Sequence, residues 1–260
     1  MVITDKFVYI HMAKTGGTFV ENVLSRLLST RSRVYLDTAT AEGRRQLPQL
    51  FYHSGMRRLP GRHRRKKILF TIRNPYDYYV SRYEYAAEYL PYGIFYGRRM
   101  KMLYPHYPRL TFAEYMEAIN NWNLKVLRPR PDGQSFARLP AESNIGNMTW
   151  FFIQLLFSNP QKLIRNLDRC LDNGEQLKAL PPDLHFIRTE NLNRELYEFL
   201  LTIGHEPQEL EFILRLGKIY PPEGGRVESQ EWEHYYTPEL KGRVRERDRL
   251  IFHMFPDYDV

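Results

Sequence analysis

The sequence predicts an α/β fold with a mainly parallel central sheet flanked by helices, and three observations carry that prediction. Short apolar runs of strand length alternate with segments of helical periodicity along the chain. One run, Ile68-Leu69-Phe70-Thr71-Ile72, is close to uninterrupted in its apolar character, as in a strand covered on both faces. Near the start of the chain a strand, a glycine turn and a helix follow one another directly. With 260 residues, 43% of them hydrophobic, the chain can fill a substantial core. No internal repeat or linker divides it, so residues 1–260 read as one domain, with an irregular and helical insertion over about 91–149.

Each element has a local reason. Phe7-Val8-Tyr9-Ile10 is a strand that ends in the loop Lys14-Thr15-Gly16-Gly17-Thr18. Phe19, Val20, Val23, Leu24, Leu27 and Leu28 then recur at helical spacing on one face. Short strands are expected at 32–36 and 50–53, the second closed by Ser54-Gly55. The basic run 61–67 leads into the strand 68–72. Asn74 is a good N-cap and Pro75 suits the first helical position, so a helix starts there and stops around Pro91-Tyr92-Gly93. Residues 91–149 are rich in proline, glycine and polar residues, with helical pieces near 111–119 and from Thr149 to Phe157. A helix over 160–170, a strand over Leu184–Arg188 and a helix from Asn191 to Ile203 follow. In the tail, Pro238 stands near a helix start, with Leu240, Val244, Leu250, Ile251 and Phe255 roughly on one side.

The formal net charge of +8 favours an anionic ligand, among which nucleic acid, phosphorylated cofactors and acidic glycans all count. Cys170 stands alone, which excludes an internal disulfide and a cysteine metal cluster. No window approaches the ~18 apolar residues of a membrane span, and Met1–Lys6 lacks the build of a signal peptide. Cytoplasm is the expected location.

The glycine loop is the first functional signal. Successive backbone N–H groups in a glycine turn, backed by a helix N-terminus, attract an anion. Gly16 and Gly17 permit close approach, Lys14 adds a positive charge, and Thr15 and Thr18 add hydroxyl donors. The bland alternative is a tight strand-to-helix turn with a solvent lysine. A nucleoside-triphosphate loop has the form G-x-x-x-x-G-K-[ST], with lysine directly after the last glycine. Here that slot holds Gly17, the first glycine is missing, and Lys14 precedes the pair. The pattern keeps the cradle and changes the reach of the charge, which demotes ATP.

Arg73 is the second signal. It ends the strand 68–72, and parallel sheets bind ligands outside the carboxyl ends of their strands. It can pair bidentately with a second phosphate, or with Asp77 at the helix start. Ser81 follows eight residues later.

Together these segments resemble the sulfotransferases that use 3′-phosphoadenosine 5′-phosphosulfate, bacterial and membrane-type carbohydrate sulfotransferases in particular. "FVYIHMAKTGGTFVENVL" is similar to their 5′-phosphosulfate loop, hhHhPKTGGTS, and "ILFTIRNPYDYYVSRYEY" to their 3′-phosphate segment, hhRNPhDRhhSxY. "FIRTENL" and "YYTPELKGRVRERDRLIFHMFPDY" resemble the late strand and closing helix. Two departures stand out: Ala13 replaces the proline before the loop lysine, and Tyr78 stands where the family often has arginine.

The resemblance implies a P-loop-type three-layer fold and transfer of a sulfuryl group to a hydroxyl of a carbohydrate, glycolipid or small metabolite. Backbone N–H groups of residues 15–18 would hold the 5′-phosphate, Lys14 would stabilise the bridging oxygen, and Arg73 and Ser81 would hold the 3′-phosphate. The scheme requires no metal. His53, in a Tyr-His segment before the 3′-phosphate strand, is the leading candidate for the base, against the alternative of a histidine that caps a strand or lines the core. Glu84 and His11 are rivals, His11 also fitting a packing role beside the loop. Arg226, in Gly224-Gly225-Arg226, would close over the nucleotide or lie on the surface. The run 61–67 either steers an anion or is a solvated loop. The ten tyrosines from Tyr76 to Tyr107 either stack on an acceptor or pack a helix and a lid. An ATP-dependent kinase or phosphotransferase is the second reading. Nucleic acid, motivated by charge alone, is not expected as a partner.

Overall fold

The computed structural model describes residues 1–28, 35–36, 55–89, 101–125, 144–174, 177–217 and 227–260. Contacts divide the chain into two compact units. One comprises Met1–Arg73, Phe152–Asn159 and Gly174–Gly225; the other comprises Asn74–Phe151, Pro160–Asn173 and Arg226–Val260.

The first unit is built on a mixed sheet. Its strands are β1 (Val2–Ile3), β2 (Phe7–Ile10), β3 (Tyr35–Leu36), β4 (Lys67–Ile72) and β5 (Leu184–Arg188), in the order β3-β1-β2-β4-β5. β2, β4 and β5 run parallel, with Ile10 opposite Phe70 and Ile72 opposite Arg188. The two-residue strands β1 and β3 join antiparallel at one edge. β1 exists because Thr4 folds the chain back at once: its hydroxyl donates to the Phe7 carbonyl and accepts from the Phe7 N–H, both at 2.9 Å. The expected strand over 50–53 lies outside the described residues.

Both faces of the sheet are covered by helices. On one side α1 (Gly17–Leu27), α7 (Leu192–Thr202) and α8 (Pro207–Arg215) bury Phe19, Val20, Leu24, Leu196, Leu200 and Ile213 against Tyr9, Leu69 and Ile187. Phe7 meets Phe199 edge to face at 5.3 Å. On the other side Phe70 and Phe186 pack on Phe152, midway along α4 (Asn147–Leu156). Gly55 approaches the same helix so closely that a Cβ there would lie 2.4 Å from the Leu155 carbonyl oxygen. Burial of both faces is the physical reason that β2 and β4 read as apolar runs without alternation.

The second unit is helical: α2 (Pro75–Tyr89), α3 (Phe112–Lys125), the start of α4, α5 (Pro160–Arg165), α6 (Leu167–Asn173), α9 (Pro238–Arg247) and α10 (Arg249–Met254). Asn74 caps α2, its Oδ1 accepting from the Tyr76 N–H at 2.9 Å, and Thr237 caps α9 in the same way, accepting from the Leu240 N–H. A buried polar cluster centres on Asp248, which is fully buried. Its carboxylate accepts from the Thr149 N–H at 2.8 Å and from the Tyr79 hydroxyl at 2.6 Å. Burial pushes the Asp248 carboxyl above its ordinary range, against the opposing effect of those hydrogen bonds.

Candidate functional site

The site is built where β2 and β4 end side by side. After Ile10 the chain passes through His11 and Met12 into a turn of alternating handedness. Lys14 has φ 65° and Gly16 φ 84°, while Thr15 between them stays outside the left-handed region. Such alternation turns consecutive N–H groups toward one concavity. Gly16 is the N-cap residue of α1, and among the described residues no side chain caps that end. The Phe19 and Val20 N–H groups both turn to the Gly16 carbonyl. Those of Gly17 and Thr18, one step earlier, have no acceptor among the described residues. These orphan donors, at the positive end of the helix dipole, are what an anion would satisfy.

Three packing relations fix the loop. A Cβ on Gly17 would lie 1.8 Å from His11 Nε2, so the imidazole lies against the backbone there and only glycine fits. The ring is held by Glu21 of α1, whose Oε1 stands 3.1 Å from His11 Nδ1, both side chains being buried. Beneath the loop runs a hydroxyl chain. Thr15 Oγ1 donates to the Met12 carbonyl at 2.8 Å and lies 2.7 Å from Thr71 Oγ1, which lies 3.1 Å from the Tyr9 hydroxyl. Since Thr15 has one proton and gives it to Met12, Thr71 must donate to Thr15 and Tyr9 to Thr71.

The third relation joins the two sequence motifs. Arg73 follows β4 directly, and its Nη1 donates to the Lys14 carbonyl oxygen at 3.1 Å. Lys14, Gly16, Gly17, Thr18 and Arg73 therefore share the carboxyl-end rim of β2 and β4. Thr18 is exposed, and Lys14 and Arg73 are half-buried. Thr15 departs from expectation: its side chain is fully buried and its hydroxyl is committed inward, so only its backbone belongs to the cradle.

Ser81 lies in the second unit, half-buried on the second turn of α2. His53 and Arg226 lie outside the described residues. Of the other candidates for a base, His11 is engaged by Glu21 under the loop. Glu84 accepts from the Tyr235 hydroxyl at 2.6 Å and from the Gln230 amide at 2.5 Å. Tyr78 is buried with its hydroxyl donating to Asn147 Oδ1, and Arg82 Nη1 donates to that hydroxyl at 3.0 Å. A guanidinium thus lies beside position 78, supplied from one helical turn later. Tyr76, Tyr78 and Tyr79 are fully buried, which answers the packing reading for these three tyrosines.

Glu21 and Thr71 are the site residues that sequence reasoning missed. Each left a faint signal: a carboxylate among the apolar positions of α1, and a hydroxyl inside an otherwise apolar strand.

No family model, curated protein or solved structure matches the chain.

Proposed function

We propose that the chain is a sulfotransferase of the P-loop-type three-layer class, moving the sulfuryl group of 3′-phosphoadenosine 5′-phosphosulfate to a hydroxyl of a carbohydrate, glycolipid or small metabolite. The observation that carries the reading is the Arg73–Lys14 contact, which joins the two motif segments at one rim. The residues present fit the donor. Gly17 and Thr18 N–H groups meet its 5′-phosphate, Lys14 reaches the bridging oxygen, and Arg73 supplies a guanidinium for the second phosphate. Ser81 belongs to this reading through the sequence motif alone.

The reaction breaks the bond from sulfur to the 5′-phosphate oxygen and forms a bond from sulfur to the acceptor oxygen. Negative charge grows on the departing phosphate, where Lys14 and the helix N-terminus stabilise it, as in phosphoryl transfer. The acceptor proton passes to a base, which the sequence motif assigns to His53. The products are the sulfated acceptor and adenosine 3′,5′-bisphosphate.

The test is acceptor-dependent transfer from radiolabelled donor across a panel of hydroxyl compounds, without added divalent metal. The reading expects transfer, and a loss of about 10²–10³ in kcat for Lys14→Ala. Magnesium-dependent transfer from ATP to the same panel, with none from the sulfuryl donor, would favour a kinase.

A further inference from the structure

The chain's positive charge is concentrated rather than spread. Residues 57–67 carry seven lysines and arginines and no acid, against a net +8 for all 260 residues, so the rest of the chain nets +1. The segment folds as two single turns of 3₁₀ helix, Met56–Arg58 and Gly61–His63, leading into β4. Met56 and Leu59 are buried and anchor it, and the N–H groups of Arg58, Leu59, His63, Arg64 and Lys66 close its turns on backbone carbonyls. Lys66 donates to the Thr4 carbonyl and Lys67 pairs with Asp183 at 3.5 Å. Arg57, Arg62, Arg64 and Arg65 remain exposed. Burial and the charges of Lys66 and Arg62 hold His63 below its ordinary range, so positive potential is already felt at the tip.

This charge does not serve the glycine loop. The segment enters β4 at its amino end, and Arg73 leaves at its carboxyl end. Six residues of strand separate them, about 20 Å, whereas the screening length at physiological ionic strength is ~8 Å.

The shape selects the partner. Pro60, Gly61, Arg62, Arg64 and Arg65 are exposed in near-continuous sequence, and among the described residues a Cβ on Gly61 would meet nothing within 4 Å. The turn is therefore a knob and not the floor of a groove. Polyanionic strands are tracked by grooves with stacking aromatics, and residues 57–67 contain no aromatic beyond His63. Both anchor side chains point inward, so nothing inserts into hydrocarbon, and among the described residues no helix is long and apolar enough to cross a membrane. A rigid cationic knob suits a planar array of anionic headgroups.

We propose that the turn Arg57–Lys67 docks this protein peripherally on bilayers containing acidic phospholipid, by charge alone. Docking through this edge leaves the carboxyl-end rim of the first unit's sheet turned away from the bilayer.

The test is co-sedimentation of the full chain with phosphatidylcholine vesicles, with and without phosphatidylserine, at low and high salt. Binding should require phosphatidylserine and vanish at high salt. Removing an exposed arginine should weaken it roughly fivefold, so Arg62→Ser/Arg64→Ser/Arg65→Ser should lose on the order of 100-fold. The triple lysine variant at the same positions should bind as the parent does. Arg194→Ser/Arg215→Ser/Arg243→Ser, equal in charge and elsewhere on the surface, should also bind normally. Affinity for adenosine 3′,5′-bisphosphate should be untouched by the turn variants, which separates this proposal from the sulfotransferase reading. Equal binding to neutral vesicles, or indifference to the serine substitutions, would overturn it. So would tighter, equally arginine-dependent binding to duplex DNA or to a sulfated polysaccharide, which would assign the knob to a soluble polyanion.

Discussion

The guanidinium of Arg73 donates to the carbonyl oxygen of Lys14 across 3.1 Å, closing a contact between residues 59 apart in sequence. The contact does two things. It holds Lys14 in a left-handed conformation that costs a non-glycine residue roughly 1–2 kcal/mol, and it puts a second cation on the rim that carries the glycine loop.

Arg73→Ala should therefore weaken binding of adenosine 3′,5′-bisphosphate by about 100-fold, the worth of a charge-assisted pair. Arg73→Lys should recover only part of the loss, because an ammonium keeps the charge without the planar fork. Calorimetric titration of the three proteins checks both. Equal affinity of the lysine and parent proteins would mean that only charge matters there.

Gly17→Ala should destabilise the first unit by about 1–3 kcal/mol, the usual cost of overpacking, because its Cβ would lie 1.8 Å from an imidazole pinned by Glu21. Gly17→Ala with His11→Ala should recover much of that stability. Urea unfolding followed by far-ultraviolet circular dichroism reads the difference, and independent, additive effects would mean that the clash is relieved elsewhere.

Thr71→Val removes the middle of the hydroxyl chain, breaking its bonds to the Tyr9 and Thr15 hydroxyls. The expected cost is about 1–3 kcal/mol for the buried hydrogen bonds so lost. Thr71→Ser, which keeps the oxygen, should cost less than half as much in the same unfolding measurement.

In the second unit Asp248 sets a pH dependence. Its folded-state pKa is raised, so the folded form holds the proton to higher pH than the unfolded chain does. The contribution is most favourable below the unfolded value of about 3.9 and declines as pH rises from there through the folded value. Asp248→Asn should flatten stability over that weakly acidic window. It keeps an acceptor for the Thr149 N–H, while the Tyr79 hydroxyl turns to Asn120 Oδ1, 3.2 Å away. An unchanged pH profile of unfolding would show that Asp248 ionises normally.

The strands Phe7–Ile10 and Lys67–Ile72 were legible because burial on both faces writes itself as an apolar run, and α2 because Asn74 and Pro75 carry the chemistry of a helix start. Three features were not. β1 has two residues, too few for any period, and depends on the Thr4 turn. α8 is amphipathic, but Leu210 and Ile213 stand in a charged stretch that hides its buried side. The expected tail helix breaks at Asp248 because that carboxylate is taken up by Thr149 and Tyr79, partners no local pattern reveals. The expected helix over 160–170 likewise divides into 160–165 and 167–173. For the site, the cradle was legible because it is contiguous, and the inward turn of the Thr15 hydroxyl was not, because Thr71 lies 56 residues away.

The central claim is that one rim grips a doubly phosphorylated adenosine through Lys14 and Arg73. Calorimetric titration with adenosine 3′,5′-bisphosphate, set beside ATP with magnesium, tests it most directly. The account predicts saturable binding of the bisphosphate without metal, weakened by both Lys14→Ala and Arg73→Ala, and much poorer binding of ATP. Tight binding of magnesium ATP with no heat from the bisphosphate would contradict it.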